Sequence, residues 1–181
     1  MASFIQRTIY SDPPSDYRNY AIDVRGRILN DVAEMEREID DYICRYFCSI
    51  TNKRNELMEI IIATKHLTFN AKADIIRCIL EKRKDASKKE ATKMLNHLMQ
   101  TISPKRNMIA HCKLDTSIGC INKFKTDPQK TIYFLKYANT KTSEPFTKKD
   151  VMALSEIIFQ VKQFIWGLTA QRYEKRRVKK K

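Results

Sequence analysis

The sequence predicts a mainly α protein, one helical bundle carrying a small inserted β-hairpin, on three observations. Apolar residues recur at spacings of three, four and seven along most of the 181 residues, the mark of helices buried on one face. Only three glycines occur, Gly26, Gly119 and Gly167, too few for the many turns of a β barrel or sandwich. One short region, about 116–140, is instead β-prone and holds a turn at Thr126-Asp127-Pro128.

Residues 1–14 read as an irregular arm that ends in Asp12-Pro13-Pro14, and a single helical domain follows over 15–171. The first helix is expected from Ser15 to Ile50, with Ile22, Leu29, Val32, Met35, Ile39, Ile43 and Phe47 along one face. Its opposite face is acidic, with Asp31, Glu34, Glu36, Glu38, Asp40 and Asp41 close together. A second helix spans Asn55 to Lys65 and a third spans Ala71 to Lys84, before a charged linker that begins at Lys82. The fourth runs from Lys88 to Thr101 with Met94, Leu95, Leu98 and Ile102 apolar.

At Ser103-Pro104 a new short helix is expected, with serine as N-cap and proline at the first helical position. Ser117 to Ile121 and Thr131 to Leu135 are read as the two strands of the hairpin. Thr147-Lys-Lys-Asp150 reads as a capping box. It opens a last long helix with Val151, Leu154, Ile157, Ile158, Val161, Ile165 and Leu168 inward.

The formal charge is +14. Residues 172–181 form a basic C-terminal tail of seven basic residues and one acid, so about half of that excess lies in the body. A polyanion, nucleic acid before membrane, is the expected partner; the alternative is a solvated tail that keeps the protein soluble. Neither GxGxxG nor GxxxxGK[ST] can be written with these glycines, so Rossmann and P-loop nucleotide chemistry is excluded. The cysteines Cys44, Cys48, Cys78, Cys112 and Cys120 are odd in number and form no CxxC pair, which fits a reducing compartment. No signal-like apolar run opens the chain, and Ile157–Ala170 is interrupted by Gln160, Lys162 and Gln163. A cytoplasmic protein that does not span a membrane is therefore expected.

His66, His97 and His111 are the only histidines, and neither HExxH nor a Cys/His cluster at zinc spacing occurs, so no metal or other cofactor is expected. His111 is the informative one. Asn107 and His111 share a helical face at i, i+4. Lys105 and Arg106 put two cations in what would be the first turn, where the macrodipole favours anions. A bound phosphate would explain them, held by free backbone N–H groups, the Arg106 fork and the His111 imidazole. That set suits phosphodiester transfer: an imidazole moves protons near neutral pH, and an arginine stabilises charge on phosphoryl oxygens.

Arg106-Asn107-Met108-Ile109-Ala110-His111 resembles the RxxxxH signature of the HEPN superfamily, including a polar residue directly after the arginine. The resemblance extends over about Asp16 to Leu114, taking in the long first helix and the helix around Leu67–Ile76. It implies a HEPN-like α bundle that pairs as a homodimer with the motifs facing one cleft. The activity it implies is a metal-independent endoribonuclease, a toxin or antiviral defence effector, leaving 2′,3′-cyclic phosphate and 5′-OH ends. Arg106 would stabilise the phosphate, His111 would act as acid and base, and Asn107 would support them. Lys72, Lys105, Arg176 and Arg177 are the basic residues expected to hold RNA, the alternative for Lys72 being a lysine that snorkels from the bundle. An antitoxin or sensor protein would be a further partner. The chain departs from toxins paired with a nucleotidyltransferase antitoxin, since Lys113 stands where they carry tyrosine. The competing reading is a non-catalytic HEPN-like module that binds nucleic acid or protein.

Overall fold

The structure, a computed structural model, describes residues 15–62, 64, 67–82, 88–136 and 139–178. The arm at 1–14, most of the charged linker and His66 lie outside the described residues. The fold is mainly α, with a small antiparallel sheet between its last helices.

Helix α1 (Ser15–Phe47) is the axis of the molecule. Its core stripe runs Tyr17, Ala21, Val24, Ile28, Val32, Met35, Ile39, Tyr42 and Ile43, all buried. Ile22 and Phe47, expected on that stripe, are exposed; Val24 and Ile28 set the register one position round from Ile22. Helix α2 (Thr51–Leu57) passes into a π-helical segment, Met58–Ile62. The wider turn brings Ile62 inward and leaves Ile60 and Ile61 outside. Helix α3 (Phe69–Lys82) buries Ala73, Ile76, Ile79 and Leu80.

The acidic face of α1 is largely committed within the molecule. Lys72 of α3, with its side chain 5% exposed, reaches Glu36 at 2.9 Å and Asp40 at 2.8 Å. Glu34 pairs with Lys162 at 2.9 Å, Asp41 pairs with Arg45, and Asp31 accepts from the Ser155 hydroxyl at 3.3 Å.

Helix α4 (Lys88–Asn96), a π-helical segment (His97–Ile102) and α5 (Ser103–His111) run on without a break. The helix start expected at Ser103 is not there. Ile102 (φ −71, ψ −50) and Ser103 (φ −58, ψ −49) are both helical, and neither side chain caps. Pro104 thus stands inside a helix, where its ring would collide with the carbonyl four residues back. The π-helical widening just before it is the kind of adjustment that accommodates such a proline. The Ser103 hydroxyl is turned to Asn70 Oδ1, at 3.2 Å.

Strand β1 (Lys113–Leu114) is followed by α6 (Ile118–Thr126), then β2 (Ile132–Lys136) and β3 (Asn139–Phe146), in the sheet order β1-β2-β3. Ser117–Ile121, expected as a strand, therefore opens a helix instead. Asp115 Oδ1 accepts the Ser117 N–H at 3.0 Å and turns the chain into it. Cys120, Ile121 and Phe124 then bury a helical face. The real hairpin is β2–β3, with Ile132 opposite Phe146 and Phe134 opposite Glu144, and an irregularity after Leu135. β3 is an edge strand, polar and carrying Pro145, as edges tolerate.

The capping box of α7 (Lys148–Val178) forms as expected: Asp150 accepts from the Thr147 N–H at 2.8 Å, and the Thr147 hydroxyl accepts from the Asp150 N–H at 3.1 Å. Val151, Leu154, Ile158, Val161, Ile165 and Leu168 are buried. By length and composition, Lys148–Ala170 is apolar enough to cross a membrane. That reflects two apolar faces, the buried one and an outward stripe of Met152, Phe159 and Trp166. The helix continues to Val178, so most of the expected basic tail is helical.

Tyr17 ties this frame together. Its hydroxyl donates to the Asp115 carbonyl at 3.0 Å and accepts the Tyr133 N–H at 3.2 Å, joining α1 to the sheet. Burial pushes its pKa from 10.0 up to about 12, partly opposed by the Tyr133 N–H. Because the folded value is the higher one, this contribution is complete below pH 10.0 and is lost as pH rises toward 12. Tyr17→Phe is expected to cost about 1–3 kcal/mol at pH 7, the penalty for a buried donor left unpaired. It should also flatten the alkaline decline in stability above pH 10. Urea titrations from pH 7 to 12 check both. Buried Cys44, pushed by desolvation from 9.0 to about 11, governs the earlier part of that decline in both proteins.

Candidate functional site

Helix α5 is held from two sides. Ile109 is fully buried against the core. At the helix end Cys112 turns extended (φ −74, ψ 142), and its carbonyl accepts from Arg25 Nη2 of α1. A guanidinium at this end also suits the negative pole of the helix. The same guanidinium lies over the Phe134 ring, 5.0 Å from its centroid, so one side chain fixes α1, α5 and β2 together. Sequence reasoning passed over Arg25, because a lone basic residue on a long charged helix gives no local sign of such a role.

With α5 fixed this way, Pro104, Asn107 and His111 lie on its exposed face. Arg106 is half-buried, and its Nη1 donates to Asn107 Oδ1 at 3.0 Å. Among the described residues no hydrogen bond joins Arg106 to His111. The structure thus brings Arg106 and Asn107 into contact, with His111 one turn further on beside Asn107. Arg106 has five N–H donors, so the bond to Asn107 leaves most of its fork available. The anion seat expected from a helix start is absent, since the backbone is already helical before Ser103. Any phosphate on this face would have to be recognised by side chains.

The expected RNA-holding residues fall in different places. Lys105 lies across α5 from Asn107 and His111, where it pairs with Glu144 at 2.9 Å and lies 5.8 Å from the Phe146 centroid. Lys72 is not on the surface where it was expected: it is buried, and its ammonium is paired with Glu36 and Asp40. Burial pulls the Lys72 pKa down, but its bonds to the two carboxylates outweigh that and raise it, so the group stays charged. Arg176 and Arg177 belong to the last turns of α7.

Comparisons with protein-family models, with curated proteins and with solved structures find no match to this chain.

Proposed function

We propose that this chain is a metal-independent endoribonuclease of the HEPN type, working in the cytoplasm as a symmetric homodimer in toxin or antiviral defence, under an antitoxin or sensor protein. The observation that carries the reading is the exposed face of α5, where Asn107 and His111 stand one turn apart and Arg106 is bonded to Asn107. A mobile guanidinium would be a poor clamp; one braced by a neighbouring amide is oriented before substrate arrives.

In the proposed reaction an imidazole takes the proton of a ribose 2′-OH. The freed oxygen attacks the adjacent phosphorus as the bond from phosphorus to the 5′ oxygen breaks, and that oxygen takes up a proton. The products are a 2′,3′-cyclic phosphate and a 5′-OH. Base and acid are separate roles, and a two-fold axis supplies a second His111 for the second role. Arg106 donates to the phosphoryl oxygens as charge builds on them.

The test is purified protein with end-labelled single-stranded RNA in EDTA. The expected result is fragments with cyclic phosphate ends. Intact RNA across several RNA classes would overturn the reading and leave a non-catalytic module, for which removing residues 172–181 should abolish binding.

A further inference from the structure

A second surface, formed by α1 and α6, has the construction of a ligand pocket. Asp16, Tyr17 and Tyr20 of α1, Ile121, Phe124 and Lys125 of α6, and Lys130 of the following loop line an open cleft of about 400 Å³. That size falls in the range of about 300–1,000 Å³ typical of small-molecule sites. The walls are rigid. Phe124 is 5% exposed and meets Tyr17 edge-on, with centroids 5.0 Å apart and planes at 70°. The Tyr17 ring is pinned in turn by its two hydroxyl bonds. Tyr20 completes an aromatic angle, 5.5 Å from Phe124 and tilted by 46°.

The mouth is basic. Lys125 is exposed, and the Lys130 ammonium rests 5.0 Å from the Phe124 centroid. Lys130 has φ 48, a left-handed conformation that usually falls to glycine, asparagine or aspartate. The loop imposes it. Asp127 accepts from the Gln129 N–H at 2.7 Å and the Thr131 N–H at 3.0 Å, while the Lys130 N–H bonds to the Asp127 carbonyl at 3.1 Å. A non-glycine residue held in this region is a feature that collects at ligand clamps. Its contact with the Phe124 ring is weak, and a phosphate would draw the ammonium away.

We infer that this pocket binds a nucleotide, with the base against the part-exposed Tyr20 ring, over a floor formed by the buried Phe124 and Tyr17, and the phosphate on Lys125 and Lys130. Two ammonium groups in the lining, only one of them offset by Asp16, are wrong for a wholly apolar ligand. Aromatic walls are equally wrong for a bare phosphate. A planar ring joined to an anion satisfies both, and stacking on aromatic side chains with basic residues along the backbone is how single strands are commonly held. The inference does not depend on cleavage at α5, because it concerns different residues on different elements.

The experiment measures binding of a 2′-O-methyl octanucleotide, which lacks the attacking hydroxyl, and of AMP, to the full chain and two variants. Lys125→Ala/Lys130→Gly removes both charges, and glycine keeps the loop conformation at φ 48. Tyr20→Leu keeps apolar bulk and loses the ring. Octanucleotide affinity is expected to fall about tenfold in each variant, with unchanged melting temperatures. Only the double lysine variant should also show a shallower salt dependence. If AMP competes, the pocket takes free nucleotides as well; if only the octanucleotide binds, its source is the strand. Equal affinity in all three proteins for both probes, or no binding of either probe to the parent, would overturn the inference. Cleavage plays no part in the readout, so an inactive α5 site would leave it standing.

Discussion

His111→Ala is expected to lower RNA cleavage by about 10²- to 10⁴-fold, the usual contribution of a positioned acid–base group, with little change in melting temperature. The imidazole is exposed, and truncations at such surface positions normally stay within about 0.5 kcal/mol. Arg106→Lys sharpens the test. It keeps the positive charge but loses the planar fork that can hold Asn107 and two phosphoryl oxygens together. Activity in that variant should stay close to that of Arg106→Ala. The measurement is initial cleavage rate on one labelled RNA, beside thermal melts of each protein. A His111→Ala protein that cuts at the parent rate would remove the ribonuclease reading, whatever else binds RNA.

How much of this was legible from residues alone depends on whether the deciding partner lay near in sequence. The α7 start was readable because Thr147 and Asp150 satisfy one another locally. The long helices were readable from periodic burial, but not their ends: α1 stops at Phe47 rather than Ile50, and the second helix starts at Thr51 rather than Asn55. The strand assigned to Ser117–Ile121 failed because Ile118, Cys120 and Ile121 are strand-like one at a time, whereas the spacing from Cys120 and Ile121 to Phe124 is helical and all three are buried on that face. β3 was missed for the opposite reason: an edge strand rich in polar residues has no alternation to read. Ser103-Pro104 carried a sound N-cap signal that a continuous helix overrode, through a π-helical segment no spacing rule foretells. At the candidate site, the proximity of Arg106 and Asn107 followed from adjacency. The hold of Arg25 on Cys112, 87 residues away in the chain, did not. Distance along the chain hid Lys72 in the same way.

Lys72→Met should be the most destabilising single change considered for this protein, by about 3–5 kcal/mol, the cost of leaving buried charge without its partner. For a domain of this size that is a fall in melting temperature of roughly 6–20 °C. Lys72 stands between two carboxylates, and Asp40, 8% exposed, has one oxygen buried without a partner already. Removing the ammonium leaves two acids facing each other near the core. Burial raises the Asp40 pKa, partly offset by Lys72, with Glu36 adding to the rise. Without Lys72 that rise must grow, so protonating Asp40 should relieve the variant, and its deficit should narrow as pH falls from 7 toward 5. On the alkaline side the sign is reversed. The folded Lys72 pKa lies above 10.5, so its contribution in the parent is complete below that value and is lost only above it. The parent should therefore show no loss from this group between pH 6 and 9. Adding Asp40→Leu to Lys72→Met should recover much of the stability, because an apolar replacement for a buried ion pair is often neutral. Thermal melts of the three proteins at pH 5, 7 and 9 decide the matter. A Lys72→Met protein that melts like the parent but binds RNA more weakly would mean that the ammonium faces nucleic acid, and that the α1–α3 contact is held by its apolar residues alone.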